Sequence, residues 1–211
     1  LIPSCPTLRE HAEDGVSSGN QLGGLTYART APTSARPATN VALGASSSMD
    51  SVFNAIAAAN CVDGEVSWAF ASSGSGCHSG SPSADNWLLL ELGALYRVDG
   101  VKIWNRDGTN AARINPSVAL LCGPSPGDCT AGTNLDSFSI TSTAASYTWD
   151  LSGALAVDLV ARFKLLQTNT NTNYLHLAEV EVCGVPSACA AGTHYASLSA
   201  GACAACPAGF A

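Results

Sequence analysis

The sequence predicts an all-β fold, an antiparallel sandwich or jelly roll, with a small disulfide-held piece at its C-terminal end. Three observations predict it. Short apolar runs recur between Gly-, Asp- and Asn-containing turns, at residues 87–92, 98–104, 117–122, 146–150, 158–166 and 177–183. Several alternate with period two: Leu177, Glu179 and Glu181 fall on one face of a strand, Ala178, Val180 and Val182 on the other. No long helical period alternates with these runs, which argues against an α/β fold. Residues 51–59 are the one stretch that fits a helix, and it is short.

Size and charge narrow the possibilities. The 211 residues suffice for one domain of about 150 residues with a proper core, plus short extras. Charged residues make up 12% of the chain, roughly half the usual quarter. Lys102 and Lys164 are its two lysines, and the formal net charge is −7. That leaves no electrostatic footprint for nucleic acid or an anionic membrane surface. No run of about 18 apolar residues occurs, so membrane insertion is not expected. The chain opens at Leu1 without a methionine or a charged-then-apolar leader, which predicts a processed chain or a piece of a larger protein.

Nine cysteines, at 5, 61, 77, 122, 129, 183, 189, 203 and 206, place the chain in an oxidising compartment, extracellular or at the cell surface. Zinc is the alternative, with Cys203-Ala-Ala-Cys206 near Cys189 and His194 as its one handle. A closed zinc site has four well-placed ligands, usually as two pairs, and a single C-x-x-C is half of that. The odd count leaves Cys206 over, its partner expected beyond the chain.

Three segments follow from composition. Residues 1–38 are an irregular leader or linker rich in Gly, Ser, Thr and Pro. Residues 39–184 carry the strand-like runs. Residues 185–211 have almost no apolar core, so disulfides must hold them.

Several pieces run in a familiar order: Asn40-Val-Ala-Leu-Gly-Ala-Ser-Ser-Ser, Cys61-Val-Asp-Gly, Asp85-Asn-Trp-Leu-Leu-Leu-Glu-Leu-Gly, Tyr96-Arg-Val-Asp-Gly-Val-Lys-Ile-Trp-Asn-Arg106, Ala161-Arg-Phe-Lys-Leu-Leu and Ala178-Glu-Val-Glu-Val-Cys-Gly184. The series resembles the F-type lectin (fucolectin) branch of the galactose-binding-like, coagulation factor 5/8 C-domain and discoidin superfamily. The tail, with Cys189-x-x-Gly-Thr-x-Tyr and Cys203-x-x-Cys-Pro-Ala-Gly, resembles the start of a GCC2/GCC3 or ephrin-receptor-like cysteine repeat.

The first resemblance implies an antiparallel jelly-roll β-sandwich of eight strands, with a sugar site and a nearby structural calcium at one end. In F-type lectins one histidine and two arginines hold the glycan. Arg106 and Arg113 keep the family's separation of seven residues, and His78 precedes Arg106 with about one extra residue. Such side chains suit a fucose- or galactose-like ring, donating to ring oxygen and hydroxyls while an apolar contact covers one face. Two departures stand out. The chain reads Asn105-Arg-Asp107-Gly108, displacing by one the acid that braces the arginines, and Thr109 and Asn110 replace paired cysteines. The plainer alternatives are a loop histidine beside Cys77 and loop arginines in local ion pairs. For calcium the resemblance implies Asn60, Asp63, Glu65 and Ser75 from one loop and Glu179 from the last strand, an oxygen set that suits a hard cation. Its alternative is that Asp63-Gly64 is only a turn and Glu179 a solvated strand residue.

Cys122 and Cys129 bracket a Gly-Pro-Ser-Pro-Gly-Asp turn and are expected to pair. Cys61 with Cys77 would clamp the loop that bears the calcium and sugar candidates. Cys189 with Cys203 fits the repeat, and Cys5 is left for Cys183, as related domains join their termini.

No catalytic residue is expected. Gly15-Val-Ser17-Ser-Gly19 matches a hydrolase elbow in letters alone, since neither a strand precedes it nor a helix follows. His11, His78, His176 and His194 form no metal spacing, and His176 is expected to cap or pack at the end of the Thr/Asn loop. Trp68, Trp87, Trp104 and Trp149 are core candidates. The function expected is an extracellular carbohydrate-binding module of a larger cell-surface or matrix glycoprotein, with glycans or glycoproteins as partners. The alternative is a non-catalytic structural or adhesion block of a fibre or matrix, with a degenerate sugar site and partners from self-assembly or neighbouring matrix proteins.

Overall fold

The computed structural model describes residues 38–67, 75–125, 127, 129–130, 132–168, 173–187, 193–195 and 203–205. Its main body is an antiparallel β-sandwich, as the strand pattern predicts. The strands are β1 (Thr39–Asn40), β2 (Ser46–Met49), β3 (Cys77–His78), β4 (Trp87–Asn105), β5 (Ser117–Cys122), β6 (Asp136–Ile140), β7 (Ser146–Asp150), β8 (Val157–Gln167) and β9 (His176–Pro186). A separate hairpin pairs β10 (Thr193–Tyr195) with β11 (Cys203–Ala205) in the tail segment. Nine strands thus share the sandwich among the described residues, where the resemblance implies eight.

The runs 98–104 and 87–92 are not separate strands. They are the two ends of β4, which turns at Gly93 (φ +77°), a conformation that a residue with a Cβ resists. Its first half pairs with β2 and β8, its second with β7 and β9. Directly opposed residues point to one face, so registers translate into core layers. Ala119–Leu165–Leu88 and Leu121–Phe163–Leu90 stack across β5, β8 and β4. Val182–Val101–Trp149 and Val180–Ile103–Tyr147 stack across β9, β4 and β7. All of these side chains are buried in one continuous core, each large one contributing about 1.5–3 kcal/mol. Of the other tryptophans, Trp87 and Trp104 lie half-buried on outer faces instead, and Trp68 lies outside the described residues.

The alternation in β9 holds from Glu179 onward, whereas a bulge between Leu177 and Glu179 turns Leu177 into the core with Val180 and Val182, and the acidic face is not solvated. Glu179 and Glu181 are 0% and 2% exposed. Lys102 and Trp104 sit opposite them on β4, and the indole N–H of Trp104 donates to Glu181 at 3.1 Å. The Gly64 end of the loop before β3 reaches the Glu179 side chain.

Residues 51–59 form no α-helix. Ile56 N–H donates to Phe53 C=O at 2.8 Å, closing a tight turn over Asn54 (φ +45°) and Ala55 (φ +65°), and a short 3-10 turn, Ala58–Cys61, follows. The turn lies on the segment after β3, and Gly80 makes that approach possible. A Cβ there would sit 2.6 Å from the Val52 carbonyl oxygen and 2.9 Å from its carbon.

Disulfides Cys61–Cys77 and Cys122–Cys129 are formed as expected. Cys183 is disulfide-bonded; Cys5, the partner expected for it, lies outside the described residues. So do Cys189, Cys206 and the Gly15–Gly19 motif, and only the backbone of Cys203 and His194 is described.

Replacing Gly80 by Ala should destabilise the fold by about 1–3 kcal/mol, the usual range for forcing a methyl into a filled site. Chemical denaturation reads this directly. Unchanged stability would show that the Phe53 turn is not seated as described.

Candidate functional site

The site forms where β3 meets the start of β9. His78 and His176 are directly opposed in that ladder, so both rings project to one side and stack with centroids 3.9 Å apart. Both are buried, 4% and 1% exposed. The Phe53 turn pairs with the other edge of β3: Phe53 N–H donates to His78 C=O, and His78 N–H to Ile56 C=O. This sets the Phe53 ring 4.7 Å from His78. Tyr174, two residues before His176, lies 5.1 Å from His78 on another side.

The arginines arrive from the end of β4. Asn105 is buried and its amide donates to the carbonyls of Ala111 and Ala144, pinning the 3-10 turn Gly108–Ile114. Ile114 is buried as the anchor of that turn, and Ser117 Oγ donates to its carbonyl. Arg106 Nη1 reaches His176 Nδ1 at 2.7 Å, and Arg113 Nη1 lies 3.4 Å from His176 Nε2. The Arg113 guanidinium also stands over the Tyr174 ring at 5.4 Å. The structure therefore brings His78, Arg106 and Arg113 to one place and adds His176, Phe53 and Tyr174.

Proton placement follows from donor chemistry. A guanidinium only donates, so the close Arg106 contact makes His176 Nδ1 an acceptor and leaves the proton on Nε2. Arg113 then faces an N–H, so its contact with the ring is not a second hydrogen bond. His176 stays neutral to about pH 2, through burial first and then the neighbouring His78 and both arginines. His78 is also held below its usual value, chiefly by burial, partly offset by its hydrogen bond to Ser79 C=O at 2.6 Å. That bond puts the proton on Nδ1 and makes Nε2 an acceptor. Burial and the nearby Arg113 charge lower the Arg106 pKa. The cluster combines guanidinium donors, an imidazole acceptor and aromatic faces, which suits a ring bearing hydroxyls on one side and C–H on the other.

A second cluster lies along β9. Gly64 N–H donates to Glu179 Oε1 at 3.2 Å, whereas Oε2 is buried with no hydrogen-bond partner among the described residues. Burial, with the charges of Asp63 and Glu181, pushes the Glu179 carboxyl up to about 8. Asp63 and Glu65 are exposed, and Asp63 Oδ1 accepts from Glu65 N–H. Asn60 is half-buried just before Cys61, and Ser75 is 9% exposed just before β3. Among the described residues no group of three or more His, Cys, Asp or Glu gathers in ligating positions.

No protein-family model matches the chain, and no curated protein sequence does. Solved structures do match. A Streptococcus pneumoniae fucose-binding module is similar over 69% of this chain and 95% of its own, with 23% identity and a TM-score of 0.58. The lectin domain of lectinolysin, solved with Lewis B antigen, matches with a TM-score of 0.57 and 25% identity, over 71% of this chain and 97% of that one. A fucolectin from the serum of striped bass, Morone saxatilis, matches with a TM-score of 0.56 and 28% identity, over 72% of this chain and 50% of its own. The fold is that of carbohydrate-binding lectin modules.

Within that fold, His176 does not merely cap the Thr/Asn loop; it stands between the two arginines. Alternation could not point to it, because a bulge between Leu177 and Glu179 breaks the period of β9 before His176. Nor could it point to Phe53 or Tyr174, because each reaches the cluster through a loop.

The sign of a pH effect follows from His176. The folded protein holds it neutral to about pH 2, while the unfolded chain protonates it near 6.5. Its contribution is therefore complete above pH 6.5 and is lost as pH falls toward about 2, at up to about 1.4 kcal/mol per pH unit. In His176→Gln the proton linkage is gone, so the stability advantage of the natural protein over the variant should shrink between pH 7 and pH 4. Denaturation series across that range measure it, and a pH-independent difference would contradict a neutral, buried His176.

Proposed function

We propose that this chain is an extracellular, non-catalytic module that binds a fucose- or galactose-type sugar at the His78, Arg106 and Arg113 cluster. The observation that carries the reading is the convergence of His78, stacked on His176, with the two guanidiniums that reach His176, beside the Phe53 and Tyr174 rings. Arginine donors satisfy ring oxygen and hydroxyls, His78 Nε2 accepts from a hydroxyl, and an aromatic face covers the C–H side of the ring. The similar pneumococcal module binds fucose, and the lectin domain of lectinolysin was solved with Lewis B antigen. The disulfides Cys61–Cys77 and Cys122–Cys129 support an oxidising compartment. In this reading residues 39–184 are the binding module, 1–38 a leader or linker, and 185–211 the start of a cysteine repeat of a larger cell-surface or matrix protein.

A structural calcium accompanies the reading. Asn60, Asp63, Glu65, Ser75 and Glu179 would hold it, and the buried, unpartnered Glu179 Oε2 fits a cation, since a lone buried carboxylate oxygen is otherwise costly. The ion would supply positive charge that holds Glu179 ionised and ties the loop to β9.

Two measurements test the proposal. Titration with L-fucose, galactose and Lewis b in calcium should show binding to at least one, and Arg106→Ala should weaken it by about thirtyfold or more, as for loss of a charged hydrogen bond. Silence across the panel, with self-association instead, would favour a structural building block whose sugar site is degenerate. Calcium at about 100 times its Kd should stabilise the protein by about 2.7 kcal/mol, an effect that Glu179→Gln removes. Identical melting with calcium and with chelator would overturn the calcium assignment.

A further inference from the structure

A buried amide pair hydrogen-bonds to the backbone of two residues of the pocket. Gln167, the last residue of β8, is 1% exposed, and Asn86, just before β4, is 0% exposed. Asn86 Nδ2 donates to Gln167 Oε1 at 3.1 Å and to Asn173 C=O at 2.5 Å. Gln167 N–H in turn donates to Asn86 C=O at 2.9 Å. The Gln167 carboxamide nitrogen donates to Arg113 C=O at 2.6 Å and to Tyr174 C=O at 3.2 Å. A primary amide has two N–H bonds, and both are used on these two carbonyls.

The choice of carbonyls gives the pair its meaning. Buried amides commonly satisfy whichever backbone groups lie near. Here both belong to pocket residues from segments far apart in sequence, and the same two residues meet again through their side chains, guanidinium over ring. Gln167 thus closes a loop of contacts: backbone to backbone behind, side chain to side chain in front. We infer that Gln167, braced by Asn86, is a positioning residue that aims Arg113 and Tyr174 at the sugar. The inference rests on the sugar reading above, but the clamp itself is a property of the ligand-free protein.

Gln167→Glu keeps the shape and removes both donors; Gln167→Met removes all polarity. Each should weaken binding of whichever of L-fucose, galactose or Lewis b the natural protein binds by about tenfold or more, as for loss of two hydrogen bonds. A double-mutant cycle with Arg113→Ala separates aim from general stability. If Gln167 acts through Arg113, its substitution should change affinity by less than about twofold in the Arg113→Ala background. An equal loss in both backgrounds, or an unchanged affinity in a folded variant, would overturn the inference. If the natural protein binds none of the three sugars, the sugar reading fails separately. The clamp is then decided without sugar by the Arg113 side-chain resonance in ¹H–¹⁵N NMR, which should move in either variant and refutes the clamp if it does not. Should neither variant fold, Asn86→Ser, which releases Gln167 Oε1 together with the Asn173 and Ser83 carbonyls but leaves both Gln167 donors in place, should shift both readouts in the same direction; no shift would count against the clamp.

Discussion

Everything at the site depends on the register of a two-residue ladder. Cys77 pairs with Leu177 and His78 with His176, at the place where β3 meets β9. A slip by one residue would turn both imidazoles to the opposite face, because side chains alternate with period two. So short a ladder cannot hold its own register. The Cys61–Cys77 disulfide fixes one end of β3, and the Phe53 turn pairs with its other edge. Ser79 N–H and Oγ continue the pairing to Leu175 on the side toward Tyr174. A covalent clamp and two flanking loops do for β3 what length does for an ordinary strand.

Charge is distributed with the same economy. The two arginines converge on an imidazole held neutral, so their field meets no second positive charge between them. The acidic groups gather farther along β9, where Glu179 and Glu181 are buried and Gly64 N–H donates to Glu179. Burial of a carboxylate without full pairing normally leads to protonation or to a cation. The same strand, β9, therefore carries His176 at its start and the acidic cluster three to five residues later. The two clusters thus share a backbone.

Much of this was legible in the sequence, and the rest was hidden for a definable reason. Period-two alternation placed Val180 and Val182 in the core, and the apolar runs located β5, β7, β8 and β9. It was the resemblance to F-type lectins, with the seven residues that separate Arg106 from Arg113, that named His78, Arg106 and Arg113 as one site. What alternation cannot tell is what covers the outward face: Glu179 reads as solvated until a distant loop is laid on it. Nor does it tell where a strand turns, so the two ends of β4 read as two strands. The 51–59 segment misled because its alanines favour helix, while pairing with β3 demands a turn with two positive φ angles. Tertiary hydrogen bonds outweighed local propensity there.

The turn raises the question of what such strain sustains. Ala55 at φ +65° occupies a region that costs a non-glycine residue about 1–2 kcal/mol, and such strain persists only where surroundings over-determine it. Here those surroundings are β3 on one side and the tight Gly80 approach on the other. The pocket is thus assembled from immobilised parts, which lowers the ordering entropy lost on binding. It is also already satisfied in part, since Arg106 spends a hydrogen bond on His176. A sugar hydroxyl can leave that bond in place and take a further N–H of the guanidinium, which carries five donors. Affinity is then expected from the donors of both guanidiniums together with the aromatic faces of Phe53 and Tyr174. Discrimination among sugars is accordingly expected to depend on how a ring sits against those faces more than on how many hydroxyls it offers.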